Sequence, residues 1–173
     1  YQSKEINIDI LPIPSPPINY PNAAWLPAKN LELTEEWSRD LSNLKSGEPI
    51  TRQITITATG QLSTQLPVID YQNNDLKIYP DKPKLIDFIN ADDMVASRID
   101  QYALIGSNPG EVELKIIQLP WWDINEETWK FATISNRSIN IKPSDDDLVE
   151  NEIVQQENLS EISTSQNNSD FWK

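Results

Sequence analysis

Apolar and polar residues alternate along most of this chain with a period of two, the spacing of strands with one face buried. Lys4 to Leu11 sets Ile6, Ile8 and Ile10 against Glu5, Asn7 and Asp9, which predicts a strand. Leu31, Leu33 and Trp37 alternate with Glu32, Thr34 and Glu36. After a turn at Gly47-Glu48-Pro49 comes the most regular strand pattern, with Ile50, Ile54, Ile56 and Ala58 facing one way and Thr51, Gln53, Thr55, Thr57 and Thr59 the other. Shorter extended runs are predicted at Leu76–Tyr79 and Leu85–Ile89, and Asp92-Asp93 turns into a run from Met94 to Leu104. Beyond the turn Asn108-Pro109-Gly110, Val112, Leu114 and Ile116 alternate until Ile117 and Leu119 switch parity, as a β-bulge or a change of sheet requires. Trp129, Phe131 and Thr133 form a return strand, and Ile139 and Ile141 within Ser138–Lys142 close the module. About eight or nine short strands between Leu31 and Lys142, with no amphipathic helix, predict an all-β fold, an antiparallel immunoglobulin-like β-sandwich.

The pattern also divides the chain. Pro12, Pro14, Pro16, Pro17 and Pro21 bar a central strand and predict an extended linker, so residues 1–24 read as a remnant strand of a preceding domain followed by that linker. Glu5-Ile-Asn-Ile-Asp9 before Pro12 parallels Ser138-Ile-Asn-Ile-Lys142 before Pro143, as though each closed a similar module. Residues 25–143 hold the sandwich. From Ser144 onward the chain is rich in Ser, Asn and Gln and carries eight acidic residues against Lys173 alone, which is −7 of the total charge of −13. That composition buries too little apolar surface to offset the entropy of ordering, so residues 144–173 read as a disordered acidic linker.

Charge and composition narrow the function. A net charge of −13 repels phosphate backbones, which argues against nucleic acid as a partner. Histidine and cysteine are absent, removing the usual zinc ligands, the thiol nucleophile and the common neutral-pH general base. No enzyme activity and no cofactor are expected. Asp92-Asp93 are neighbours in a turn and point apart, unlike the facing carboxylates of a glycosidase. Asp123, Asn125 and Glu127 have the spacing of a calcium loop but lack its glycine and terminal glutamate, so turn chemistry is expected and no metal site.

The densest chemistry lies in Gln118-Leu-Pro-Trp-Trp-Asp-Ile-Asn-Glu-Glu-Thr-Trp-Lys-Phe-Ala132, which gathers three of the six tryptophans around a polar turn. Trp121 and Trp122 are adjacent and must face opposite sides of a strand, so one packs inward and the other needs a separate explanation. Core packing is expected for most of the cluster, with Trp121, Trp122, Asp123 and Trp129 as the candidate interaction surface. Exposed Trp122 or Trp129 stacking on sugar rings is the alternative, a carbohydrate-binding module recognisable by two or more coplanar tryptophans on an open face.

Several motifs occur in a fixed order: Trp25-Leu-Pro-Ala28, Leu33-Thr-Glu-Glu-Trp-Ser38, Gly47-Glu-Pro-Ile-Thr-Arg52, Gln65-Leu-Pro67, Ile78-Tyr-Pro80, Gln101-Tyr-Ala-Leu104 and Leu119-Pro-Trp-Trp-Asp123 with Trp129. In this order, over roughly Trp25 to Lys142, they resemble the BatD family of oxygen-tolerance (aerotolerance) proteins. The resemblance implies a stress-linked protein on the periplasmic face of the bacterial inner membrane, with tandem immunoglobulin-like domains and a hydrophobic anchor. It implies partnership with von Willebrand factor A-type membrane proteins and a MoxR-type ATPase, and it supplies no catalytic residue. Phe171-Trp-Lys173 then reads as the lip of a membrane segment beyond the acidic linker.

Overall fold

The computed structural model describes residue 6, residue 8 and residues 10–145. The described residues form an all-β sandwich of eleven strands and two short 3-10 turns. The strands are β1 (Pro27–Ala28), β2 (Asn30–Trp37), β3 (Leu44–Lys45), β4 (Pro49–Thr59), β5 (Leu76–Pro80), β6 (Lys84–Asn90), β7 (Asp93–Gly106), β8 (Gly110–Leu114), β9 (Ile117–Asp123), β10 (Thr128–Ile134) and β11 (Arg137–Lys142).

One layer is a five-stranded sheet ordered β2-β4-β7-β5, with β6 also on β7. The long strand β7 is shared end to end: β5 pairs along Tyr102–Gly106 and β6 along Asp93–Ile99. From Pro80↔Tyr102 to Lys84↔Ile99 the outer chain advances one residue more than β7 does, so the junction at Asp81–Pro83 is a bulge. The inward face of β4 carries the expected Ile50, Ile54, Ile56 and Ala58, all buried. Position 52 on that face holds an arginine, also buried.

The opposing layer is two three-stranded sheets, β1-β9-β10 and β3-β11-β8. They are two ends of one hairpin. Ile134 faces Ile117 and Arg137 faces Leu114, three residues further on in both strands, so the register runs through without an inserted residue. The parity switch at Ile117 is therefore a change of sheet and not a bulge. Both strands turn over together: Val112 and Leu114 are inward before the break and Trp121 after it, while Ala132 and Ile134 give way to Ile139 and Ile141 on the return. All these side chains join Leu31, Leu33, Ile54, Ile56 and Leu104 in a single core.

At the level of the break the core becomes polar. The Arg52 guanidinium lies between the Trp37 ring, 5.2 Å from its centroid, and the Tyr71 ring, at 4.6 Å. It donates to Glu35 Oε2 from Nε at 3.0 Å and Nη2 at 2.8 Å. Arg137, the first residue of β11, reaches Glu35 Oε1 at 3.1 Å. One half-buried carboxylate thus ties the two layers together through two arginines.

Of the strand expected over Lys4–Leu11, residues 6, 8, 10 and 11 are described, and none lies in a strand. Ile6, Ile8 and Ile10 are exposed, and no strand among the described residues pairs with them. The proline-rich segment after them packs on the sandwich instead of running free, as described below. The acidic tail from Asp146 lies outside the described residues.

Candidate functional site

The outward face of the β9–β10 hairpin is aromatic. Trp122 and Trp129 are register partners, so both project to the same side, away from the core that holds Trp121. Trp25 joins them from the chain just before β1, which is set in place as a parallel strand by Trp122 N–H donating to Leu26 O at 2.9 Å and Ile124 N–H to Ala28 O at 3.1 Å. The nitrogen of Pro120, two residues before Trp122, falls on that same side, ahead of the first β1 pair, so the proline costs no bond to β10. Ring centroids stand 5.7 Å apart for Trp25–Trp122, 5.9 Å for Trp25–Trp129 and 5.8 Å for Trp122–Trp129. The interplanar angles are 40°, 79° and 78°, so Trp129 stands edge-to-face against both other rings, Trp25 and Trp122 are tilted, and no two rings are parallel.

The expectation that most of Trp121, Trp122 and Trp129 would be core is corrected here, since Trp121 alone is buried and the other two are half-buried on the outer face. Strand parity admits only one of the adjacent pair, and cross-strand register then sends Trp129 to the same side as Trp122.

Asp123 is buried at the end of the hairpin and organises its turn. Its Oδ1 accepts from the amides of Asn125 at 2.8 Å and Glu126 at 3.1 Å, and its Oδ2 meets Lys130 Nζ at 2.7 Å. The Lys130 ammonium, followed by those two amides, holds the Asp123 carboxyl below the usual carboxylate range. Asp123 in turn, with Glu126 after it, pushes the Lys130 ammonium up. Every oxygen of Asp123 is thereby committed to turn chemistry. Among the described residues no three acidic side chains come together in a way that could hold a metal ion.

A second surface was not singled out by the sequence. All seven residues of β6 are exposed although four are large and apolar: Leu85, Ile86, Phe88 and Ile89. Among the described residues the strand pairs β7 on one side and has no partner on its other backbone edge. Leu85 and Ile89 share one face with Asp87, and Ile86 and Phe88 lie on the other. Asp87 is held by Ser63, whose amide and hydroxyl donate at 2.6 and 2.7 Å. Doubled apolar residues, Leu85-Ile86 and Phe88-Ile89, are the signature of a strand covered on both faces, yet this one sits at a sheet edge.

An open groove of about 700 Å³ lies between the loop through Ile69 and Tyr71 and the strands β5 and β7. Its charged side chains Arg98 and Asp100 satisfy each other at 2.8 and 2.9 Å, and the Tyr102 hydroxyl donates to Ile69 O at 2.6 Å. Asp92 sits in the tip of the β6–β7 turn while Asp93 is ion-paired with Lys29. Asp93 and Asp100 are thus spent on ion pairs, and Asp92 is an exposed turn residue.

No protein-family model, curated protein or solved structure matches the chain. No helix among the described residues is long and apolar enough to cross a membrane.

Proposed function

We propose that this chain is a non-catalytic protein–protein interaction module that receives an extended segment of its partner along β6. The observation that carries the reading is the β6 edge itself, which combines an open line of backbone donors and acceptors with apolar side chains on both faces. Strand addition uses both features: the backbone supplies the ladder, and alternate side chains are gripped from above and below. A monomeric sandwich usually guards such an edge with charge, proline or a covering loop, and here the charges on the strand are Lys84 at one end and Asp87 in the middle, the latter turned back onto Ser63. The narrower reading rests on the order of the BatD-like motifs: a stress-linked module on the periplasmic face of an anchored inner-membrane protein, with a von Willebrand factor A-type protein as partner. A carbohydrate platform draws on the same tryptophans as the aromatic face, but rings inclined by 40° to 79° offer no flat pair for a sugar.

Co-purification from gently solubilised native membranes tests the proposal. Wild-type protein is expected to bring down a von Willebrand factor A-type partner, Ile86→Lys with Ile89→Lys is expected to lose it, and Trp122→Ala is expected to keep it. Recovery of the wild-type full-length protein without that partner overturns the narrower reading, and undiminished capture by the double lysine variant overturns the edge.

A further inference from the structure

We propose that the aromatic face of β9 and β10 recognises polyproline-II chain and is occupied in cis by Pro12–Pro17, which it latches onto the sandwich. This face is separate from the β6 edge, and the inference stands on contacts of its own.

The Trp129 indole N–H donates to the carbonyl of Ser15 at 2.9 Å, in the middle of the proline run. A polyproline-II helix makes no internal hydrogen bonds, so its carbonyls are free to accept from a donor on a neighbouring surface. Residues 10–16 have no ladder partner and no helical turn, as that conformation requires. The pattern of contact has the matching period. Pro14 and Pro17 are half-buried while Pro12, Ser15 and Pro16 are exposed, and three residues per turn puts positions 14 and 17 on one side. Past the turn at residues 18–19, Tyr20 anchors the end of the run: it is half-buried, its ring is tilted by 48° against Phe131 at 5.2 Å, and its hydroxyl donates to Gln118 Oε1 of β9. The run ends where Tyr20 N–H turns back to Pro17 O at 2.8 Å.

The aromatic side fits the same occupant. Edge-to-face rings are separated by clefts, and a ridged rod with a proline every third position fills a cleft where a flat ring would rest on a plane. The proline run is already stiff before it docks, so little conformational entropy opposes the contact. The consequence is directional: the chain ahead of the sandwich leaves along a fixed path across the hairpin instead of swinging on a flexible tether.

The test uses the full chain with Pro14→Ser and Pro17→Ser together, and the probe is a synthetic peptide of the native sequence from Leu11 to Ile18. Limited proteolysis between residues 12 and 24 is expected to speed up by about tenfold or more, because a segment tethered at millimolar effective concentration is released. The variant should bind the peptide in trans, and the wild type, its face occupied, should bind at least about tenfold more weakly. A peptide with serine at both positions should bind neither. Trp129→Phe, which keeps a ring but removes the donor, should also accelerate cleavage while leaving the urea midpoint of the sandwich in place. Protection of residues 12–24 that is unchanged in the proline variant, or a proline variant that is cleaved faster yet fails to bind the native peptide, overturns the proposal.

Discussion

The half-buried carboxylate of Glu35 is the residue on which the contact between the two layers turns. Arg52 has a side chain only 1% exposed and depends on Glu35 for charge compensation, since Trp37 and Tyr71 bring uncharged rings. Among the described residues Arg52 Nη1, Trp37 Nε1 and Tyr71 Oη make no hydrogen bond within normal geometry, and neither ring brings a negative charge, so Glu35 alone supplies the ion pair of this guanidinium. Glu35→Ala leaves a buried guanidinium unpaired and is expected to cost about 3–5 kcal/mol in urea unfolding. Arg137 is half exposed on the other oxygen of the same carboxylate, and Arg137→Ala should cost under about 1 kcal/mol. The contrast between two arginines on one partner separates burial from pairing. At this scale the sequence was partly legible. Among the inward positions of β4, residue 52 breaks an otherwise apolar row, but alternation alone cannot tell an inward arginine from a local reversal of the strand. Its partners come from β2 and from the loop through Tyr71, and no local pattern announces them.

At the scale of elements, strand existence was readable and strand neighbours were not. The inward row of β4 is as expected, and Ile56→Ala, at a site with no exposure, is expected to destabilise by about 2–5 kcal/mol on equilibrium unfolding. The parity switch at Ile117 was visible, yet choosing between bulge and change of sheet needed the register of the return strand. Only the paired turnover of β8–β9 and β10–β11 decides it. The apolar run from Leu85 to Ile89 looked like an ordinary strand, and its position at an edge comes from β7 having room for both β5 and β6. The β6–β7 connection is a further case. Ala91 and Asp92 hold φ of 47° and 72° in a two-residue loop, the left-handed pair that Asn-Gly adopts with least strain. Replacing them as Ala91→Asn with Asp92→Gly is expected to stabilise the protein by about 1 kcal/mol, measured as a raised urea midpoint with unchanged slope. The candidate site divides in the same way. Trp122 and Trp129 could be named from the sequence, whereas Trp25 reaches them only because β1 adds in parallel to β9, and the proline run reaches Trp129 only through tertiary packing.

For the molecule as a whole, the buried polar groups set different limits at the two ends of the pH scale. The Asp123 carboxyl is held below 3.8 by Lys130 first, so its contribution is present above that value and is lost only as the pH falls through its lower folded pKa. Burial pushes the Tyr102 phenol from 10.0 up to about 12, and Tyr71 is raised by burial as well. A raised pKa means the opposite sign: stability is whole below pH 10 and drains away as the pH climbs toward 12, because the unfolded chain releases its phenol proton first. Lys130, raised above 10.5 by Asp123, is lost in the same direction. Titrating the cations of a chain that already carries −13 adds self-repulsion to both effects. The urea midpoint is therefore expected to be nearly flat between about pH 5 and 9 and to fall steeply above about pH 10. Tyr102→Phe separates the phenol from the rest. It removes the hydrogen bond to Ile69 O and should cost about 1 kcal/mol at neutral pH, yet it should fall less steeply than wild type above pH 10, so that the gap between the two curves closes before the pH reaches 12. Phenolate absorbance recorded in parallel should show Tyr102 ionising late, together with unfolding.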